Sequence, residues 1–209
     1  PLEAIGADIV FIGDVDSKLL GDHRNWDRIA VVKYPTRNSF IAMQSREDFQ
    51  KQHAHKEAGM QETIVMGCLP IDLSRLEEPT NDWKDIRYPP TNEDGPIAVL
   101  HVLKFHEDYA IGDTPEKMEE YTKRASKVAL EHGVRPSGWF GVEGTIIGDG
   151  RKWDQVRFNT FPSKAAFLAV AGDPERREAQ EAFRKVSIMD TYTLIVRTTI
   201  DNLAPSIVG

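Results

Sequence analysis

Residues 26–46 read WDRIAVVKYPTRNSFIAMQSR, and residues 153–173 read WDQVRFNTFPSKAAFLAVAGD. The two stretches align without a gap, 127 positions apart (Trp26 onto Trp153). Trp26/Trp153, Asp27/Asp154, Pro35/Pro162, Phe40/Phe167 and Ala42/Ala169 are identical pairs. Ile29/Val156, Tyr34/Phe161, Thr36/Ser163, Arg37/Lys164 and Ile41/Leu168 are alike in kind. Upstream, Gly21-Asp22 falls on Gly148-Asp149 at the same offset. An ungapped match of this length marks two copies of one unit, and an internal repeat constrains the fold before any local propensity does.

Working outward from the repeat, the second copy is the complete one. Residues 97–105 (IAVLHVLKF) form an apolar strand. Thr114-Pro115-Glu116 opens a helix with proline at its first position, and Gly133 closes it. Residues 139–147 are a strand, Gly148-Asp149-Gly150 a turn, and 153–161 a strand. Pro162-Ser163 starts a helix to about Lys185, with a break at Gly172-Asp173-Pro174, and 192–199 are the last strand. The order βαββαβ is the ferredoxin-like arrangement. In the first copy, 1–5 read as the end of a helix capped by Gly6, 9–12 as a strand and 17–25 as a polar loop. Then come a strand over 26–34, a helix from Thr36 to about Ala58 and a strand over 63–69. This copy is expected to lack its first strand and most of its first helix; either these precede Pro1 in a longer protein, the favoured reading, or another segment fills the gap. The expected division is a first unit over 1–70, a proline- and acid-rich connector over 71–95 that packs over the surface or wraps its neighbour, a second unit over 96–203, and a tail over 204–209.

The chain has 209 residues, 40% hydrophobic and 28% charged, the balance of a water-soluble globular protein. A net charge of −7 argues against phosphate-neutralising nucleic-acid binding. The lone Cys68 has no disulfide partner, which points to a reducing, cytoplasmic setting. There is no apolar run of the roughly 18 residues a membrane span needs, and no signal peptide with a basic start and an apolar core is expected.

The strand ending Leu103-Lys104-Phe105, the Gly-Asp turn, and Trp-Asp followed by a strand, a proline and a helix resemble the domain-of-unknown-function 1330 family of the dimeric α+β barrel superfamily. The resemblance covers most of the second unit and the present part of the first. It implies two ferredoxin-like units packed sheet to sheet as a barrel, here within one chain. It implies no particular reaction, because the superfamily includes monooxygenases, isomerases, a chlorite-decomposing haem enzyme and dehalogenase-like proteins.

Alternation along the strands nominates the chemistry. Trp153, Gln155, Arg157, Asn159 and Phe161 are expected on the face pointing into the space between the sheets, with Val156 and Phe158 on the helix-covered face. His101 shares a face with Val99, Leu103 and Phe105, and Glu143 with Trp139 and Gly141. A pocket is expected with His101, Glu143 and Arg157 as catalytic groups: an acid/base histidine beside an anion-binding arginine. Trp139, Trp153, Gln155 and Asn159 would bind substrate there. The same residues also fit a buried polar network with Glu143 paired to Arg157. His53 and His55 lack the i, i+4 spacing of a chelating pair; His23, His106 and His132 have no ligand spacing. No metal site and no cofactor are expected, with haem open only through the superfamily. Cys68 reads as a small buried hydrophobe. Two functions remain: a small-molecule binder or enzyme using the cavity between the sheets, or a structural module acting through self-assembly or a larger partner.

Overall fold

The computed structural model describes residues 2–77 and 81–207 and, within them, not the side chains of residues 3 and 52–57. The side chains of His53 and His55, and all of Pro1, therefore lie outside the described residues.

The chain is a mixed α+β fold built on one antiparallel sheet of seven strands. The strands are β1 (Asp8–Leu20), β2 (Arg28–Lys33), β3 (Val65–Pro70), β4 (Ile97–Phe105), β5 (Arg135–Ile147), β6 (Gln155–Phe161) and β7 (Ile188–Asp201). Their spatial order is β2-β1-β7-β4-β6-β5-β3. The two facing sheets expected from the sequence are thus one continuous sheet. The reason is edge pairing: β1 hydrogen-bonds along β7 from Phe11↔Asp201 to Leu20↔Thr193, and β3 along β5 from Val65↔Ile147 to Pro70↔Phe140. Both outer strands of the second half are thereby covered rather than left as open edges.

The sheet curls. Phe11 on β1 and Phe158 on β6 have β7 and β4 between them. On a flat sheet they would be about 14 Å apart at roughly 4.8 Å per strand, yet their ring centroids lie 4.9 Å apart. The concave face is packed solid with Val10, Phe11, Leu100, Val102, Val156, Phe158, Leu194 and Val196, and Tyr192 and Trp153 join them. Val156 and Phe158 therefore face the inside of the curl, and Gln155, Arg157 and Asn159 face the helices, the reverse of the sequence expectation. Both faces of β6 are buried, so alternation gives the period but not the side.

The helices are α1 (Arg37–Gln44), α2 (Glu47–Gly59), α3 (Glu116–Glu131), α4 (Lys164–Gly172), α5 (Pro174–Ala179) and α6 (Lys185–Ser187), with a π-helical turn at Gln180–Arg184 joining α5 to α6; α3 and the α4–α6 segment cover the convex face. A short α7 (Leu203–Ile207) begins the segment expected as a tail and buries Leu203. The expected loop over 17–25 is strand as far as Leu20, because β7 supplies backbone partners throughout. The break at residues 172–174 occurs as expected, Asp173 capping α5 through its side chain. None of the described helices is long and apolar enough to cross a membrane.

Positions 127 apart adopt matching geometry. Gly6 and Gly133 take φ of 68° and 71°, the left-handed conformation that glycine reaches without steric cost. Thr36 and Ser163 each accept a hydrogen bond from the backbone N–H three residues on. Tyr34–Phe40 and Phe161–Phe167 are edge-to-face pairs with centroids 5.2 and 5.3 Å apart. Trp26 and Trp153 both pack on Tyr192, and both indole N–H groups are buried without a partner. Arg24 donates to Asp149, and Arg151 donates to Asp22 at 3.0 Å, a reciprocal exchange between the two Gly-Asp turns.

The connector packs on the second half. Trp83 Nε1 donates to the Gly133 carbonyl at 2.7 Å. Asp94 accepts from the Lys164 and Ala165 backbone N–H groups at the start of α4, and Ser163 Oγ donates to the Tyr88 carbonyl.

Candidate functional site

One row of side chains crosses the helix-covered face of the sheet. In register, Leu20 (β1) lies beside Thr193 (β7), Thr193 beside His101 (β4), His101 beside Arg157 (β6) and Arg157 beside Trp139 (β5). Directly paired residues of an antiparallel sheet share a face. Most of the helix-facing positions around them are apolar, including Val99, Leu103 and Phe161. A Thr-His-Arg-Trp run in that setting departs from ordinary core.

Above this row is a cavity of about 260 Å³, lined on the sheet side by His101, Trp139, Arg157, Asn159 and Thr193. Its roof is α3, through Met118, Tyr121, Thr122 and Ala125, together with the α4–α6 segment. The latter contributes Arg176, Gln180 and Arg184, four residues apart in turn and so along one side of a helix. The π turn ends at Arg184, and the Lys185 N–H reaches back to the Gln180 carbonyl. Such one-residue insertions in α-helices recur at functional sites. Leu19 and Leu20, both largely exposed, and exposed Glu77 also line the cavity and mark where it meets solvent.

Arg157 is held from several sides. Gln155 Oε1 accepts from Arg157 Nε at 2.8 Å and from Nη2 at 2.6 Å. Thr122 Oγ1 accepts more weakly from Nη1 and Thr114 Oγ1 from Nη2, and the guanidinium stacks 4.1 Å from the centre of the Trp139 ring. Gln155, fully buried, in turn donates to the Asp113 carbonyl and Thr114 Oγ1, so the 112–114 loop anchors it. Trp139 Nε1 donates to Asn159 Oδ1 at 3.1 Å, and His101 Nδ1 shares a hydrogen bond with Thr193 Oγ1 at 3.1 Å.

The electrostatics are one-sided. Among the described residues, Arg157, Arg176 and Arg184 form no ion pair, and Arg184 Nη2 is buried with no hydrogen-bond partner. Burial lowers the Arg157 pKa to about 9, with the neighbouring Arg184 adding to it. That still leaves Arg157 a cation at neutral pH. Burial first, then the charges of Arg184, Arg176 and Arg157, hold His101 well below the ordinary histidine range, so its ring is neutral.

Of the residues nominated from sequence, His101, Arg157, Trp139 and Asn159 come together here, and Gln155 stands directly behind Arg157. Two do not join them. Glu143 lies outside the cavity, with its carboxylate bound to Arg37 of α1 at 2.5 and 2.9 Å. Its pairing with Arg157 does not occur. Trp153 precedes β6 and turns into the concave core. Cys68 is half-buried, its thiol pushed up to about 12 by burial and then by Glu143, which makes it a poor nucleophile. Among the described residues, no cluster of three His, Cys, Asp or Glu side chains could hold a metal ion. Sequence reasoning misses Arg176, Arg184, Tyr121 and Thr122. The 176-180-184 spacing was visible, but nothing in it says which face of the helix meets β4 and β6.

No family model matches the chain, and no curated protein matches it. Among solved structures it is similar to RPA0582, a protein of unknown function from Rhodopseudomonas palustris, at 27% identity with a TM-score of 0.43. That match covers 51% of this chain and 92% of the other. A second structure, of methylated RPA0582, is 25% identical with a TM-score of 0.44, covering 54% and 94%.

Proposed function

We propose that the chain is a tandem pair of ferredoxin-like units of the dimeric α+β barrel type, and that its second unit binds or converts a small molecule. Support for the pair comes from the β7-β4-β6-β5 order of the second half, the reciprocal Arg24/Asp149 and Arg151/Asp22 contacts, and the repeated caps and aromatic pairs. The outer edges of β2 and β3 carry no strand among the described residues, which is how a first unit short of one strand would leave them.

The cavity over the Thr193-His101-Arg157-Trp139 row carries the functional reading. It lies between sheet and helices, because the space inside the curl is filled. The first half holds Ile12, Ala30 and Val32 where the second holds Trp139, Arg157 and Asn159, so one site per chain is proposed. A packed fold has no structural need for a polar row under a void, and mostly apolar concavities with a few convergent polar groups are the usual form of ligand sites. Neutral His101 offers a bound molecule a ring nitrogen for hydrogen bonding, and the reading invokes no cofactor.

Native followed by denaturing mass spectrometry tests this on the wild type and on Ala125→Phe, whose ring fills the cavity from α3. The expected result is a small molecule that leaves wild type on denaturation and is absent from the variant. An occupant retained by Ala125→Phe would place binding elsewhere.

A second reading, a self-assembling module, is favoured by Ile41 and Leu168. These equivalent positions on α1 and α4 are 61% and 60% exposed. The same native spectra decide it: an oligomer dissociated by Ile41→Lys with Leu168→Lys supports assembly, and a monomer removes it.

A further inference from the structure

We infer that the ligand of this cavity is a small organic acid, its anionic group seated between Arg157 and Arg184 and its apolar body lying along α3 and α4. The inference rests on the cavity being a ligand site and adds the ligand's chemical class.

The key observation is an uncompensated positive charge. Arg157 and Arg184 are 4% and 6% exposed, both line the cavity, and Arg176 stands on the same helix side about two turns before Arg184. Among the described residues none of the three has a carboxylate within ion-pair distance. Arg157 has neutral acceptors for its N–H groups, in Gln155, Thr122 and Thr114. Arg184 does not: its Nη2 is enclosed without a partner. A buried, unpaired guanidinium is costly, and proteins leave few of them unless a counter-charge arrives. Among the described residues, carboxylates lie only at the periphery: exposed Glu77 at the solvent end of the cavity, and exposed Glu119 on α3, whose field reaches Arg157. Neither neutralises the arginines.

The rest of the lining defines the remainder of the ligand. Met118, Val134, Phe161, Phe167 and Val170 form an apolar wall. A bare inorganic ion would leave that wall unused. A carboxylate on an aryl or short alkyl body fits both halves, and guanidinium matches carboxylate geometry with paired N–H donors. His101, neutral beneath the cations, adds a ring nitrogen that can donate to the same anion.

Isothermal titration with benzoate, phenylacetate and hexanoate, their amides, and inorganic phosphate tests this. The variants are Arg184→Met and Arg184→Lys. The expected pattern is binding of at least one acid, with its amide weaker by roughly 10–100-fold, the worth of one charge-assisted hydrogen bond. Arg184→Met should lose the acid by the same factor while unfolding at an equal or higher temperature, since it removes a buried unpaired charge. Arg184→Lys should recover part of the affinity. If amides bind as well as acids, and Arg184→Met changes neither, the anion assignment is overturned while the cavity remains a ligand site. If phosphate alone binds, the organic-acid assignment is overturned. If nothing binds and the native mass spectrum shows an empty chain, both inferences fall together.

Discussion

Gln155 shows how much of this site is held by side chains that never touch the cavity. It is fully buried, and its amide joins the Arg157 guanidinium to the 112–114 loop. Gln155→Leu keeps the volume but strands an arginine and a backbone carbonyl. The expected loss is about 2–3 kcal/mol of stability, measured by urea unfolding, with a larger loss if Arg157 swings away from Trp139. His101 supplies a pH signature. Its folded pKa is depressed by burial and by three arginines, so the folded state resists a proton that the unfolded chain accepts. Stability from this group is therefore complete above about pH 6.5 and falls as pH drops below it. Melting temperatures between pH 7.5 and 5.5 should decline less steeply for His101→Gln than for wild type; equal slopes would mean that His101 is not held neutral.

Among the elements, the α4–α6 segment is the most informative. Ser163 accepts from the Ala166 N–H, Asp94 holds the two backbone N–H groups before it, and Asp173 restarts the helix after the Gly172 break. Ser163→Ala removes the cap and the bond to the Tyr88 carbonyl and should cost about 1–2 kcal/mol, read from denaturant midpoints. The caps were legible in the sequence because Thr36 and Ser163 sit at the same place in the repeat. The break was legible from Gly-Asp-Pro. The π turn was not, since a one-residue insertion leaves composition and period nearly unchanged. The side of β6 that faces the helices was also illegible: Val156/Phe158 and Arg157/Asn159 alternate cleanly, but both faces of the strand are buried, and alternation does not say which one the helices cover. The inside of the curl takes Val156 and Phe158. Glu143 and Trp153 were placed by the same parity argument and miss the site because β5 runs on beyond the cavity and Trp153 lies before β6 begins.

At the largest scale, the two Gly-Asp turns, 127 positions apart, meet each other through Arg24 and Arg151. Desolvation opposes charge on Asp22, but the Arg24 N–H, the Tyr192 hydroxyl and both arginines hold its pKa at about 2. Asp149 is lowered too, chiefly by its hydrogen bond from Arg151. Carboxylates lowered in this way contribute stability that is complete above about pH 4 and is lost as pH falls toward 2. Asp22→Asn should flatten that acid decline in unfolding experiments at pH 7, 4 and 2.5. A double-mutant cycle between Asp22 and Arg151 should give a coupling of about 0.5–3 kcal/mol, whereas additivity would mean that the turns meet without holding the halves together. That the strands would join in one curled sheet could not be read from the repeat, because edge pairing depends on where each half ends in space.

The sharpest experiment follows the indole N–H signals of Trp26, Trp83, Trp139 and Trp153 by ¹H–¹⁵N NMR, assigned by single Trp→Phe variants, during titration with benzoate or with whatever molecule is released on denaturation. Trp139 lies under Arg157 in the cavity, and Trp26 and Trp153 pack against the filled concave side. A ligand between sheet and helices should move the Trp139 signal and leave Trp26 and Trp153 in place. Movement of Trp26 and Trp153 with Trp139 unchanged would put the ligand inside the curl and remove the site described for Arg157 and Arg184.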